Sequence, residues 1–318
     1  MTLRALVIGT GFGARVVAPA LAAAGADVVA VVSPRDGVAH SIAESAADLV
    51  SVHSPPFLHA EHVQLALDAG AAVLCDKPCT PSASETEALL AAADASGYLH
   101  FVNFEFRYDP CRVELRRRLE RGEIGPVEHI AWTHRTTGST QPLRRYGWLF
   151  DRARGGGWIG AWASHAVDTL QWLLAESLSV ESSRPRTDVG VRPDAEGVDR
   201  VCSAEDGLVA RLGTPSGVVI DIDSTFASPD PAEPRLVVSG RDGSITSVGD
   251  RYLAIDHGGI ASTWEPPSSG TDHHVLPMRV WAIDLMRAIA DGHGREPAPT
   301  LRDGLAVDRV LDALRAGA

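Results

Sequence analysis

The stretch from Leu3 to Ala24 restricts the fold more than any other part of the chain. Leu3-Arg4-Ala5-Leu6-Val7-Ile8 reads as a buried strand, Gly9-Thr10-Gly11-Phe12-Gly13-Ala14 follows at once, and Arg15 to Ala24 is apolar at helical period. A strand that enters a helix through a glycine turn, with a second strand at 27–32, opens a Rossmann-type parallel sheet. Gly9 supplies the tight turn, Gly11 lets a pyrophosphate approach the backbone, and Ala14 takes the third glycine position, which tolerates alanine. The free N–H groups and dipole at the helix start favour phosphate. Gly9, Gly11, Phe12 and Gly13 are therefore candidate dinucleotide contacts, set against a plain glycine turn in some other α/β domain.

The end of the second strand selects the cofactor. An acid there would bind the ribose 2′-hydroxyl, whereas a small polar residue with an arginine suits a 2′-phosphate. The chain has Ser33-Pro34-Arg35, with the nearest acid at Asp36. Ser33 and Arg35 thus favour NADP over NAD, the bland alternative for Arg35 being a solvated loop charge. Only twelve residues separate Arg35 from Asp48. One crossover needs about that many, so two cannot fit. The expectation is one short helix near 38–46 and the loss of the usual third strand, with the next strand at Leu49 to His53.

Two loops then reach the carboxyl ends of parallel strands, the edge where open α/β sheets bind ligands. The first carries Ser54-Pro55-Pro56, giving Ser54 and Pro55 as cofactor contacts. The second carries Cys75-Asp76-Lys77-Pro78 after strand 71–75. Of the 29 basic residues, 28 are arginine and Lys77 alone is lysine. Arginine stays protonated in proteins, whereas lysine gives up its proton when its surroundings lower its pKa. A chain that otherwise writes arginine and keeps one lysine at this edge points to a proton needed there, with Asp76 beside it; a compositional leftover is the alternative.

The 29 basic against 41 acidic residues give a net charge of −12, which disfavours nucleic acid and anionic membrane surfaces. Four cysteines in 318 residues do not make a disulfide framework. Cys75 and Cys79 lack a matching second pair, and His59 with His62, or His273 with His274, read as surface or loop histidines, so no metal site is expected. No signal-peptide core and no membrane-length apolar run is seen; the expectation is a soluble cytoplasmic protein.

Three ordered segments resemble the Gfo/Idh/MocA oxidoreductase family: the turn at 9–14, Ala71 to Pro78, and Gly155-Gly156-Gly157 followed by His165 and Asp168. Phe106 to Pro110, Gly122 to Gly125 and Arg302-Asp303-Gly304 are similar to the family's pattern as well. The family's lysine motif more often begins with Glu, so Asp76 is a conservative departure. The resemblance implies a Rossmann domain over 1–120 and a substrate-binding and oligomerisation domain over 121–318. The latter would hold a large, open, mostly antiparallel sheet, with the last helix packing back on the first domain. It implies oxidation or reduction of a carbinol or carbonyl carbon of sugar-like or other cyclic compounds, Lys77 as proton relay, His165 as acid/base, and a homodimer or homotetramer through the sheet.

The segment Trp158 to Glu176 reads as one helix on which Ala161, His165, Asp168 and Trp172 share a face. Histidine suits proton transfer near neutral pH, and Asp168 one turn on would support it; a core histidine is the alternative. Many family members carry aspartate where this chain has Ala161. Either Lys77 and His165 suffice, or Glu105 or Asp168 substitutes, or the reaction differs. Lyase, epimerase or glycosidase chemistry with retained or lost cofactor, and a non-catalytic sensor or scaffold, therefore stay open. Trp148, Trp158 and Trp162 offer flat rings to a substrate, with core packing expected for some. Glu105 and Arg107 complete the candidate substrate contacts.

Overall fold

The computed structural model describes residues 2–267 and 272–317. The chain forms two compact units, Met1–Tyr108 with Gly270–Arg309, and Asp109–Ser269 with Val310–Ala318. Compactness thus divides the chain at 108 rather than 120, and gives the segment at 270–309 to the first unit.

In the first unit, β1 (Arg4–Ile8), β2 (Asp27–Val32), β3 (Leu49–Val52), β4 (Ala72–Cys75) and β5 (His100–Val102) form a parallel sheet in the order β2-β1-β3-β4-β5. Helices α1 (Ala18–Ala23), α2 (Val38–Ser45), α3 (His59–Asp68) and α4 (Ala83–Ser96) connect them. A single short helix, α2, links β2 to β3, as the twelve-residue limit requires. β3 and β4 are buried at every position, which is why they read as unbroken apolar runs rather than alternating ones. The start of α4 is written locally: the Ser82 side chain accepts from the Glu85 N–H at 3.4 Å and donates to the Glu85 carboxylate at 2.9 Å, a reciprocal cap.

This unit is completed by α7 (Val275–Asp291) and most of α8 (Leu301–Ala316). Trp281 of α7 is fully buried, stacked on Tyr108 at 5.1 Å and set edge-on to Phe101 at 5.7 Å. Buried Asp308 of α8 accepts from Thr86 at 2.7 Å. The first core therefore draws on residues nearly two hundred positions beyond its strands, which local periodicity does not reveal.

The second unit holds α5 (Pro110–Glu120), α6 (Ser164–Leu174) and an eight-stranded sheet. Its strands are β6 (Val127–Arg135), β7 (Ser179–Arg186), β10 (Gly207–Gly213), β11 (Val219–Thr225), β12 (Ala232–Gly240), β13 (Gly243–Val248), β14 (Tyr252–His257) and β15 (Ile260–Trp264). They run in the order β15-β14-β13-β12-β6-β11-β10-β7, antiparallel except for the β6–β11 pair. A separate ribbon pairs β8 (Val191–Pro193) with β9 (Asp199–Val201). Among the described residues no helix is long and apolar enough to cross a membrane.

Candidate active site

The glycine turn is built as a dinucleotide site demands. Gly9 has φ +137°, and its backbone lies so close to the His53 carbonyl that no side chain fits. A side chain at Gly11 would meet nothing within 4 Å, which leaves the space a pyrophosphate needs. The tight contact between turn and sheet belongs to Gly13, whose Cβ position lies 3.0 Å from Val7 Cγ1 and 3.1 Å from His53 Cβ. The turn also enters its helix through a π-type turn, Gly13–Val17, before α1 begins. These residues fit the cofactor. Gly11→Val should leave the melting temperature within about 2 °C of wild type yet weaken dinucleotide binding at least about tenfold; unchanged binding by fluorescence titration would disprove the assignment.

Beyond the ends of β3 and β4 a charged cluster surrounds the lysine. Asp76 is half-buried and held from two sides. His53 Nδ1–H donates to Oδ2 at 3.1 Å, while Oδ1 accepts the Lys77 backbone N–H at 3.0 Å and the Asn103 amide at 3.4 Å. The Ser51 hydroxyl donates to His53 Nε2 at 2.7 Å and so fixes the ring. Burial alone would raise the Asp76 pKa, but His53 and Lys77 outweigh it and hold the carboxyl well below the usual range. Ser51 is fully buried, so the Ser-His-Asp string ends in the core on that side. It holds Asp76 in place.

Lys77 is half-buried, and loss of water lowers its pKa below the ordinary lysine value against the opposing charges of Asp76 and Glu105. Glu105, proposed from sequence as a substrate contact, is buried and accepts from His274 Nδ1 at 2.7 Å. Burial would lower the His274 pKa; the Glu105 hydrogen bond and charge prevail and raise it. His274 in turn lies edge-on to Phe12 of the glycine turn at 5.2 Å. The structure thus gathers Phe12, His53, Asp76, Lys77, Glu105 and His274 at one sheet edge. Arg107 is engaged elsewhere. It is buried, paired with Asp303 at 2.9 Å, and ties its turn to the start of α8. A substrate contact from Arg107 is therefore not supported. Ser33 accepts from the Arg35 backbone N–H at 3.3 Å, and Arg35 is exposed at the end of β2.

In the second unit, Gly155-Gly156-Gly157 precedes a π-type turn, Ile159–Ala163, and only then does α6 begin at Ser164. The expected single helix over 158–176 is thus two helix types. Ala161 lies in the wider turn, so the spacing of four to His165 does not describe one α-helical face. His165 and Asp168 are both buried on α6 itself. Trp158 is half-buried, stacks on Phe226 at 4.4 Å and on Trp162 at 6.0 Å, and donates its N–H to Ser224 at 2.8 Å. Both rings take part in internal stacking, and Trp158 keeps part of its surface exposed. Trp148 stands in a short 3-10 turn whose carbonyl crowds Gly156.

The sequence pattern placed His59 and His62 at the surface, and both are buried. The local sequence pattern assigns no function to His53, His274, Glu205 or Arg315. For His53 a signal existed, because it ends a strand whose neighbour carries the lysine loop. For Glu205 and Arg315 none did.

A Rossmann unit with an open glycine turn and a lysine at the carboxyl edge of its sheet defines a nucleotide-dependent oxidoreductase. Residues 3–104 match the oxidoreductase family described as having an NAD-binding Rossmann fold, and residues 113–246 match the GFO/IDH/MocA C-terminal domain. The chain belongs to the Gfo/Idh/MocA family. It is 27% identical to inositol 2-dehydrogenase of Rhizobium meliloti, over 98% of this chain and 96% of that protein. It is 24% identical to D-xylose 1-dehydrogenase (NADP(+)) 2 of Haloferax volcanii, over 97% and 95%. Levoglucosan dehydrogenase in complex with NADH and levoglucosan shares the fold with a TM-score of 0.87 and 22% identity, covering 99% and 97% of the two chains.

Proposed function

We propose that this chain is an NADP-preferring dehydrogenase or reductase of a cyclic, sugar-like hydroxy or keto compound, with Lys77 as its proton-transfer group. The observation that carries the reading is Lys77: a half-buried lysine of lowered pKa at the carboxyl edge of the parallel sheet. Gly9, Gly11, Phe12 and Gly13, with Ser54 and Pro55 on the next loop, would hold the dinucleotide. When bound, the nicotinamide supplies hydride exchange with the substrate carbon. Lys77 takes the hydroxyl proton in oxidation and returns it in reduction, where its cationic form also stabilises negative charge growing on oxygen. Asp76, held ionised by His53, keeps the lysine loop oriented. His165 is proposed as the second acid/base group, supported by its place on α6 one turn before Asp168. The dehydrogenase names of the relatives support the sugar-like substrate class.

Titration with NADPH and NADH, followed by a polyol and carbonyl panel read at 340 nm, tests the reading. Binding of neither cofactor would remove it. Cofactor retained through turnover with no net absorbance change would instead favour a lyase or epimerase using transient oxidation. Arg35→Ala should weaken NADPH at least about tenfold while leaving NADH nearly unchanged, because a 2′-phosphate would lose its charge-assisted partner. Equal loss for both cofactors would assign Arg35 no part in the choice.

A further inference from the structure

His59 opens α3 and is almost wholly buried, and both of its ring nitrogens face backbone carbonyls, with the Cys75 thiol beside the ring. Nδ1 lies 3.0 Å from the Pro78 oxygen and 3.1 Å from the Cys79 oxygen; Nε2 lies 2.6 Å from the Ser54 oxygen. A carbonyl oxygen accepts and never donates. A neutral imidazole carries one N–H and one lone pair, so one of its nitrogens would set a lone pair against an oxygen lone pair at close range. Only the doubly protonated ring satisfies all three contacts. Each carbonyl belongs to a loop at the ligand edge: Ser54 follows β3, and Pro78 and Cys79 directly follow Lys77.

We propose that His59 is held as a buried imidazolium and acts as a positioning residue, clamping the loop that carries Lys77 to the loop after β3. This inference rests on the proposed role of Lys77 for its catalytic consequence, but the protonation state stands on geometry alone. The groups that face the ring are consistent with a buried cation. Cys75 and Asp76 approach from the end of β4, Cys79 from the lysine loop and His62 from the next turn of α3. Burial would lower the His59 pKa, yet Cys75, Asp76 and the Ser54 carbonyl carry it up to about 9. The Cys75 thiol is drawn down to about 6, first by its hydrogen bond with Cys79 and against burial, with the charge on His59 adding to the fall. Burial lowers the pKa of neighbouring His62, whose Nδ1 contacts the Ser54 hydroxyl at 3.0 Å, so it titrates apart from His59.

A raised folded-state pKa stabilises the protein fully below the unfolded histidine value of about 6.5 and loses that contribution as pH rises through about 9. Ring-nitrogen NMR of the apo protein with labelled histidine tests the state directly. At pH 7.5 the His59 ring, assigned through its own backbone, should show both nitrogens protonated and keep that pattern until pH nears 9. A single protonated nitrogen at pH 7.5 would overturn the proposal, whatever the fate of the proposed reaction, because neither cofactor nor substrate is present. His59→Gln places its donors on a single amide nitrogen and turns a carbonyl oxygen toward the other side, where it meets an oxygen. It should reduce kcat about 10- to 100-fold with NADPH affinity changed less than about threefold, and flatten the loss of stability between pH 7 and 10. Unchanged kcat in the folded variant would refute the positioning role. If the variant does not fold, the pH dependence of wild-type urea unfolding decides: no fall in stability through pH 9 would overturn the imidazolium.

Discussion

Lys77→Arg should keep the positive charge and lose turnover by about 10²- to 10⁴-fold, with cofactor affinity within about threefold of wild type. The chemistry needs a group that both holds and releases a proton. Arginine does not release one at any working pH, and its planar fork is larger than an ammonium. Lys77 suits this chemistry because burial has brought its pKa down, while Asp76 and Glu105 keep the cationic form from being abolished. In the oxidative direction activity should rise with pH through a value below that of a free lysine, because the neutral amine is the base. Single-turnover kinetics in both directions, with cofactor binding measured separately, reads these quantities. A variant with near wild-type turnover would end the proton-transfer role and leave only a charge.

The second large effect falls in the other unit. Gly157→Ala should destabilise the protein by about 3 kcal/mol or more and lower its melting temperature by roughly 10 °C. Gly157 has φ +105°, and its Cβ would be driven into the Glu205 carboxylate. That carboxylate has little room to yield. It is buried, accepts the Ile159 N–H at 3.1 Å, and lies 3.5 Å from Arg315 Nε on α8. Arg315 also donates to the Gly156 carbonyl at 3.1 Å. A buried ion pair broken from one side leaves a charge without compensation, so displacing Glu205 adds to the backbone strain. Because this anchor holds the entry to α6, the same substitution should disturb His165. Gly190→Ala is the control, since a Cβ there meets nothing within 4 Å. Equal melting temperatures for the two variants would refute the argument.

Much of the first unit was legible because its determinants are near neighbours. Gly9, Gly11 and the strand before them lie within nine residues. The single crossover to β3 follows from counting twelve positions. Lys77 stood out because composition leaves it alone among arginines at a strand end. The candidate site was legible only in outline. Glu105 is offered by the sequence as a substrate contact without its His274 partner, and Trp158 without its stack on Phe226 and Trp162. Residue type and exposure are separable properties, and the sequence states only the first.

By itself the sequence determined the parallel sheet with its glycine turn, the missing third strand, the place of Lys77 and the family. Those features depend on backbone freedom, local periodicity and segment length. The tertiary structure alone decided that His53 orients Asp76, that His59 is buried against three carbonyls, that α7 completes the first core, and that Glu205 and Arg315, separated by more than a hundred residues, lock the glycine loop before His165. Burial and charge pairing arise when distant segments close on one another, and they change what a side chain does without changing what it is.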